Sequence, residues 1–98
     1  MRQWPVILDP QASIDLDEIY VWVASHANEA VADRYTQRLL TFCDRLRMAP
    51  KRGVVRDDFR PGARLIGFER SVTVAFVIAD DEVRILRLLY RGRRFDSR

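Results

Sequence analysis

The chain is short of the residues that small proteins most often use for chemistry: it holds one cysteine (Cys43), one histidine (His26) and one lysine (Lys51). A single cysteine excludes an internal disulfide framework and suits a reducing compartment, so the expected location is the cytoplasm. Cys43 falls on the apolar side of a helical pattern, which makes it a packing residue rather than a reactive thiol. His26 has no second histidine, cysteine pair or carboxylate cluster beside it, so neither a metal nor a cofactor is expected. No apolar run approaches the ~20 residues of a membrane helix. The opening MRQWPVILDP also lacks a signal peptide's long apolar stretch, so no membrane partner is expected.

What is present is a globular balance, 48% hydrophobic and 32% charged, over a length suited to one core. One domain spanning 1–98 is expected, with a short basic tail at 91–98. The net charge is only +3, but it is unevenly spread. Residues 1–36 carry two arginines against six acids, whereas residues 83–98 carry six arginines against Asp96 alone. Sixteen of the 17 basic residues are arginine, the side chain suited to bidentate contact with phosphate or carboxylate. Such segregation marks a binding face or, on the blander reading, a solvated surface.

Residues 3–8 (QWPVIL) read as a short strand, which Pro5 pushes to a sheet edge. Asp9-Pro10 is an N-cap followed by a proline at the first helical position. Ala12, Leu16, Ile19, Tyr20, Val23 and Ala27 then recur at helical spacing, predicting a helix over 10–26. Asn28 caps a second helix, 29–48, with Ala32, Tyr35, Leu39, Phe42, Cys43 and Leu46 on one face. From residue 54 the period changes, and 63–70, 71–79 and 82–90 read as antiparallel strands joined by tight turns. The middle strand is apolar on both faces, as a central strand should be. The fold class is therefore α+β, in the order β-α-α-β-β-β, with a helical hairpin covering one face of a twisted, mainly antiparallel sheet. The opposite face is expected to stay partly open for a ligand or partner. Arg84 and Arg87, an odd number of residues apart, are expected on opposite faces of the last strand.

Several segments, taken in order, carry a resemblance. They are Asp9-Pro10-Gln11-Ala12 with Asp15-Leu16-Asp17-Glu18-Ile19, then Leu46-Arg47-Met48-Ala49-Pro50 with Gly53. Arg56-Asp57-Asp58-Phe59-Arg60-Pro61-Gly62-Ala63-Arg64 follows, and last come Val83 to Tyr90 and Gly92-Arg93-Arg94. In these the chain resembles the RelE/ParE superfamily of type II toxin–antitoxin toxins, and its ParE-like branch in particular. The resemblance implies a cognate small antitoxin (ParD-like) that neutralises the protein in a hetero-oligomer. For the ParE-like branch it implies inhibition of DNA gyrase; for the RelE-like branch, ribosome-dependent cleavage of mRNA. A non-toxic nucleic-acid or protein-binding module is a further alternative.

Attack by a ribose 2′-hydroxyl needs a base, cations for the phosphate charge and an acid for the leaving oxygen. Arg64, Tyr90 and Arg91 are the candidates for a nuclease, but no well-placed glutamate or histidine completes the set. Arginine holds its proton at neutral pH and so suits electrostatic holding better than proton transfer. Gyrase is therefore the expected target, with no catalytic residue. Arg56, Arg60, Arg64, Tyr90, Arg91, Arg93 and Arg94 are the candidate target contacts. For Tyr90 the bland alternative is an aromatic closing the sheet edge over the helices. Ile14, Val21 and Trp22 lie off the core stripe of the first helix. Together with Trp4, Arg91, Arg93 and Arg94 they are the candidate antitoxin contacts.

Overall fold

The computed structural model describes residues 3–90. Strand β1 (Val6–Leu8) leads into helices α1 (Pro10–His26) and α2 (Glu29–Asp44), followed by a 3-10 turn (Arg45–Arg47). Four strands complete the fold: β2 (Val54–Val55), β3 (Arg64–Phe68), β4 (Val72–Ala79) and β5 (Glu82–Tyr90). They form one sheet in the order β1-β5-β4-β3-β2. Only β1 and β5 pair in parallel; the other pairings are antiparallel. The α+β order and the helical hairpin on the sheet are as the periodicity predicts.

The helix ends follow from local chemistry. Pro10 starts α1 where its missing N–H costs nothing. Asn28 caps α2 by accepting from the Val31 N–H at 2.8 Å. The second helix is shorter than the predicted 29–48, because its last turn tightens to 3-10 geometry ahead of Pro50, which disfavours helix at the residue before it. The two-residue β2 was not anticipated, being too short to show a period. β1 takes the sheet edge that Pro5 implies, and the Pro5 carbonyl accepts from Val83 N at 2.7 Å.

Between helices and sheet lie Ile19, Val23, Ala32, Leu39, Cys43, Leu46, Phe68, Val74, Phe76, Ile85 and Leu88, all buried. Each of the valine, leucine, isoleucine and phenylalanine side chains among them contributes roughly 1.5–3 kcal/mol on leaving water. Burial pushes the Cys43 thiol up to about 12, so it stays protonated and inert. The β4–β5 turn places Asp80 and Asp81 at φ 53° and 61°, the left-handed pair that a two-residue hairpin requires.

One irregularity redirects the last strand. Ala75 faces Arg87 and Phe76 faces Ile85, so Leu86 is an extra residue on β5. Arg84 stands opposite Val77 and Arg87 opposite Ala75, both on the sheet face away from the helices. The expectation that these arginines point to opposite faces is thus corrected. The bulge adds the one residue that turns an odd separation into a shared face.

Candidate functional site

The face away from the helices is only partly open. Residues 56–63 fold back across it, held by Arg56 N–H to Ala63 O at 2.8 Å and Ala63 N–H to Arg60 O at 2.9 Å. Asp57 Oδ1 accepts from Gly62 N at 2.8 Å, with Gly62 at φ +80°, a conformation that favours glycine. This segment buries Ala63, Val77 and Leu86 as a small second cluster. The arginines around it differ in how they are held. Arg56 pairs with Asp58 through two hydrogen bonds of 2.9 and 2.7 Å. Arg84 pairs with Asp9 at 2.9 Å and Glu82 at 3.1 Å. Arg87 grips Asp15 through Nε and Nη2 at 2.8 and 3.1 Å. Arg60 is exposed, and no carboxylate among the described residues pairs with it.

Asp15 is the residue that sequence reasoning missed. Its side chain is 1% exposed, and it also accepts from Leu88 N–H at 2.9 Å and from Gln11 at 3.2 Å. Among the described residues no strand pairs with this edge of β5 beyond Ile85, and Asp15 takes over one of its backbone donors. Burial alone would raise its carboxyl, but the hydrogen bonds from Arg87, Leu88 and Gln11 outweigh this and hold it below the ordinary value. The available signal was a carboxylate three residues after Ala12 and four before Ile19, on the buried stripe of α1.

Of the nuclease candidates, the two described residues, Arg64 and Tyr90, are held apart. Arg64 faces Phe76, whereas Tyr90 faces Val72, which is paired with Phe68. Four residues of strand separate the two positions, about 13 Å at the usual rise. Both lie on the helix side of the sheet, with Phe76 and Val72. Tyr90 is 8% exposed and packs edge-on against Trp22 and Tyr35, with ring centroids 5.1 and 6.0 Å away. Burial raises its hydroxyl pKa above the ordinary tyrosine value, so it remains protonated at neutral pH. His26 stacks on Trp22 at 3.8 Å, and its Nδ1 lies 2.8 Å from the Trp22 carbonyl. Among the described residues no cluster of His, Cys, Asp or Glu could hold a metal ion.

On α1, Ile14 and Val21 are exposed at 49% and 64%. Trp22 is not a free outer residue: it is half-buried and packs on the core through Tyr90, which corrects its placement off the core stripe. Trp4 is likewise half-buried against the core. Asp17, Glu18, Val21, Trp22 and Ser25 line a shallow recess of about 390 Å³. Arg91, Arg93 and Arg94 lie outside the described residues.

This architecture has counterparts. A search of curated proteins returns no match. A solved structure described as "Chromosomal ParDE TA system from P. aeruginosa" is similar, with a TM-score of 0.79 and 24% identity. The match covers 90% of this chain and 96% of that one, and at this identity it speaks for the fold. The family profile described as "ParE toxin of type II toxin-antitoxin system, parDE" matches residues 6–95, from the first strand through the basic end. By that match over nearly its whole length, the chain belongs to the ParE toxin family of type II toxin–antitoxin systems.

Proposed function

We propose that this ParE toxin inhibits DNA gyrase in the cytoplasm and is neutralised by a cognate ParD-like antitoxin. The observation that supports holding rather than cutting is the spacing of Arg64 and Tyr90. Arg64 pairs with Phe76 at one end of the β3–β4 ladder and Tyr90, on β5, pairs with Val72 level with the other end, its ring packed among aromatic side chains. Acid–base cleavage needs its groups around one phosphate. Electrostatic holding needs only guanidiniums on an accessible surface, and Arg56, Arg60, Arg64, Arg91, Arg93 and Arg94 are the proposed contacts, with Tyr90 bordering them. Purified protein should therefore inhibit supercoiling and accumulate cleaved DNA while leaving ribosome-bound mRNA intact. Tyr90→Phe removes one hydroxyl and keeps the packed ring, so toxicity should survive within a fewfold. A nuclease using that hydroxyl as its acid would lose ~10²–10⁴-fold in rate. Such a loss, together with cut mRNA, would replace gyrase by the ribosome as target.

The antitoxin is proposed to pack on the outer face of α1 around Ile14, Val21 and the exposed edge of Trp22, with Trp4, by the other end of β5, as a separate contact. Because Trp22 also supports Tyr90, the clean test is at Val21. Val21→Glu should weaken antitoxin binding roughly 10–100-fold, as expected of a buried apolar contact. The melting temperature should be nearly unchanged, since exposed positions contribute within about 0.5 kcal/mol. Unaltered affinity would remove this face from the interface.

A further inference from the structure

In the parallel ladder Val6 pairs with Val83 and Leu8 with Ile85. The bonds of that ladder run through the residues on either side. The Pro5 carbonyl accepts from Val83 N–H at 2.7 Å, and Asp9 N–H donates to Ile85 O at 2.9 Å. Pro5, Ile7 and Asp9 therefore turn their backbone groups toward β5, and Val6 and Leu8 turn theirs outward. β1 is the last strand of the sheet, so among the described residues no strand meets these outward groups. Pro5 does not blunt the edge, because the N–H it lacks would have pointed at β5. A cleft of about 380 Å³ between β1 and α2 is lined in part by Val6, Leu8, Leu40 and Thr41. Ile7 and Leu40 are each 39% exposed. We propose that β1 is a self-association edge, at which two copies of this chain pair their β1 strands antiparallel about a two-fold axis beside Ile7.

The edge is complementary to itself. In this register Val6 of each copy faces Leu8 of the other, and both pairs exchange N–H and C=O bonds. The two Ile7 residues meet in the non-hydrogen-bonded pair between them, with Cα atoms about 4.5 Å apart and side chains on one face. The axis is normal to the sheet, so both helical layers stay on the same side, with a Leu40 from each beside the joint. Charge favours the same occupant. β1 carries no charge, Asp44 is held by Arg47, and Asp9 is held by Arg84. A charged segment of another protein finds no uncompensated charge along this strand, whereas an uncharged edge suits its own copy in an isologous contact. This pairing goes beyond the gyrase reading and does not depend on it.

The test is sedimentation velocity of the full chain between about 1 and 500 μM, a range suited to a small, transient interface. The mass should rise from 11.5 kDa toward twice that value. Ile7→Lys sets like charges against each other on the axis and should weaken the dimer at least about tenfold. Its melting temperature at low concentration should match wild type. Ile7→Cys should give a disulfide-linked dimer under mild oxidation, because the pairing brings the two Cα atoms within bonding range. Val54→Cys, on an exposed residue of the opposite sheet edge, should not. A chain that stays at 11.5 kDa throughout overturns the proposal. So does equal cross-linking of the two cysteine variants, or an Ile7→Lys variant that dimerises like wild type. If the chain stays monomeric and Ile7→Lys instead weakens antitoxin binding, the edge belongs to the antitoxin and self-pairing is overturned.

Discussion

Replacing Asp15 by alanine should destabilise the fold by about 3–5 kcal/mol, the range for removing one partner of a buried ion pair. The carboxylate is almost wholly buried and serves three groups at once: the Arg87 guanidinium, the Leu88 N–H and the Gln11 amide. Its loss leaves the backbone donor of a central-core strand unpaired and frees Arg87 beside an apolar surface. Asp15→Asn keeps one acceptor oxygen and the volume, so it should cost less than alanine. Acid should act on the same contact. Since the folded carboxyl lies below its ordinary value, its contribution is complete above the unfolded pKa, near 3.9. That contribution is lost as pH falls through the lower folded value. Wild-type stability should therefore fall below about pH 4, and the fall should be shallower in Asp15→Asn. Denaturant melts of both variants between neutral and acidic pH measure this. A loss under 1 kcal/mol at neutral pH, about the size of an exposed ion pair, would mean that Asp15 merely fills space.

Substituting Arg91, Arg93 and Arg94 together by glutamine should abolish toxicity while leaving the melting temperature within a degree or two of wild type, as expected if they belong to the basic tail predicted from the sequence, since solvated charges are worth about 0–1 kcal/mol each. This proposal rests on the sequence, because the three residues lie outside the described ones. Arg56, Arg84 and Arg87 are each held by a carboxylate, whereas residues 91–98 carry four arginines against Asp96. Antitoxin affinity should fall roughly tenfold, and its dependence on salt should flatten, because fewer charges remain to be screened. Growth inhibition on induction, circular dichroism melts and antitoxin binding at two salt concentrations separate the possible outcomes. A folded triple variant as toxic as wild type would reduce the cluster to a solubilising tail.

Much of the fold was legible because the signals were local. Asp9-Pro10 and Asn28 mark helix starts through backbone chemistry that needs no tertiary partner. Alternation against helical spacing separates the hairpin of helices from the strands, and Asp80-Asp81 can form the turn that sets β4 and β5 antiparallel. The resemblance carried by the Asp9–Ile19, Arg56–Arg64 and Val83–Arg94 segments likewise needed only residue order, and it led to the family that the profile match shows.

The site was decided by tertiary structure. Period-two counting put Arg84 and Arg87 on opposite faces, and one extra residue at Leu86 undid it, because the side a strand residue faces depends on the register of its partner. Asp15 reads as an unremarkable acid on a helix until β5 presents Arg87 and the Leu88 N–H, 72 and 73 residues away, to its carboxylate. Trp22 looks like an outward residue on a helical wheel, yet Tyr90 at the far end of the chain draws its ring onto the core. Sequence alone determined which elements form and in what order, since periodicity and caps act within a few residues. Which arginines share a face, which carboxylates restrain them and where Tyr90 points were settled only when distant strands found their register, because pairing and burial are properties of neighbours that the chain brings together by folding.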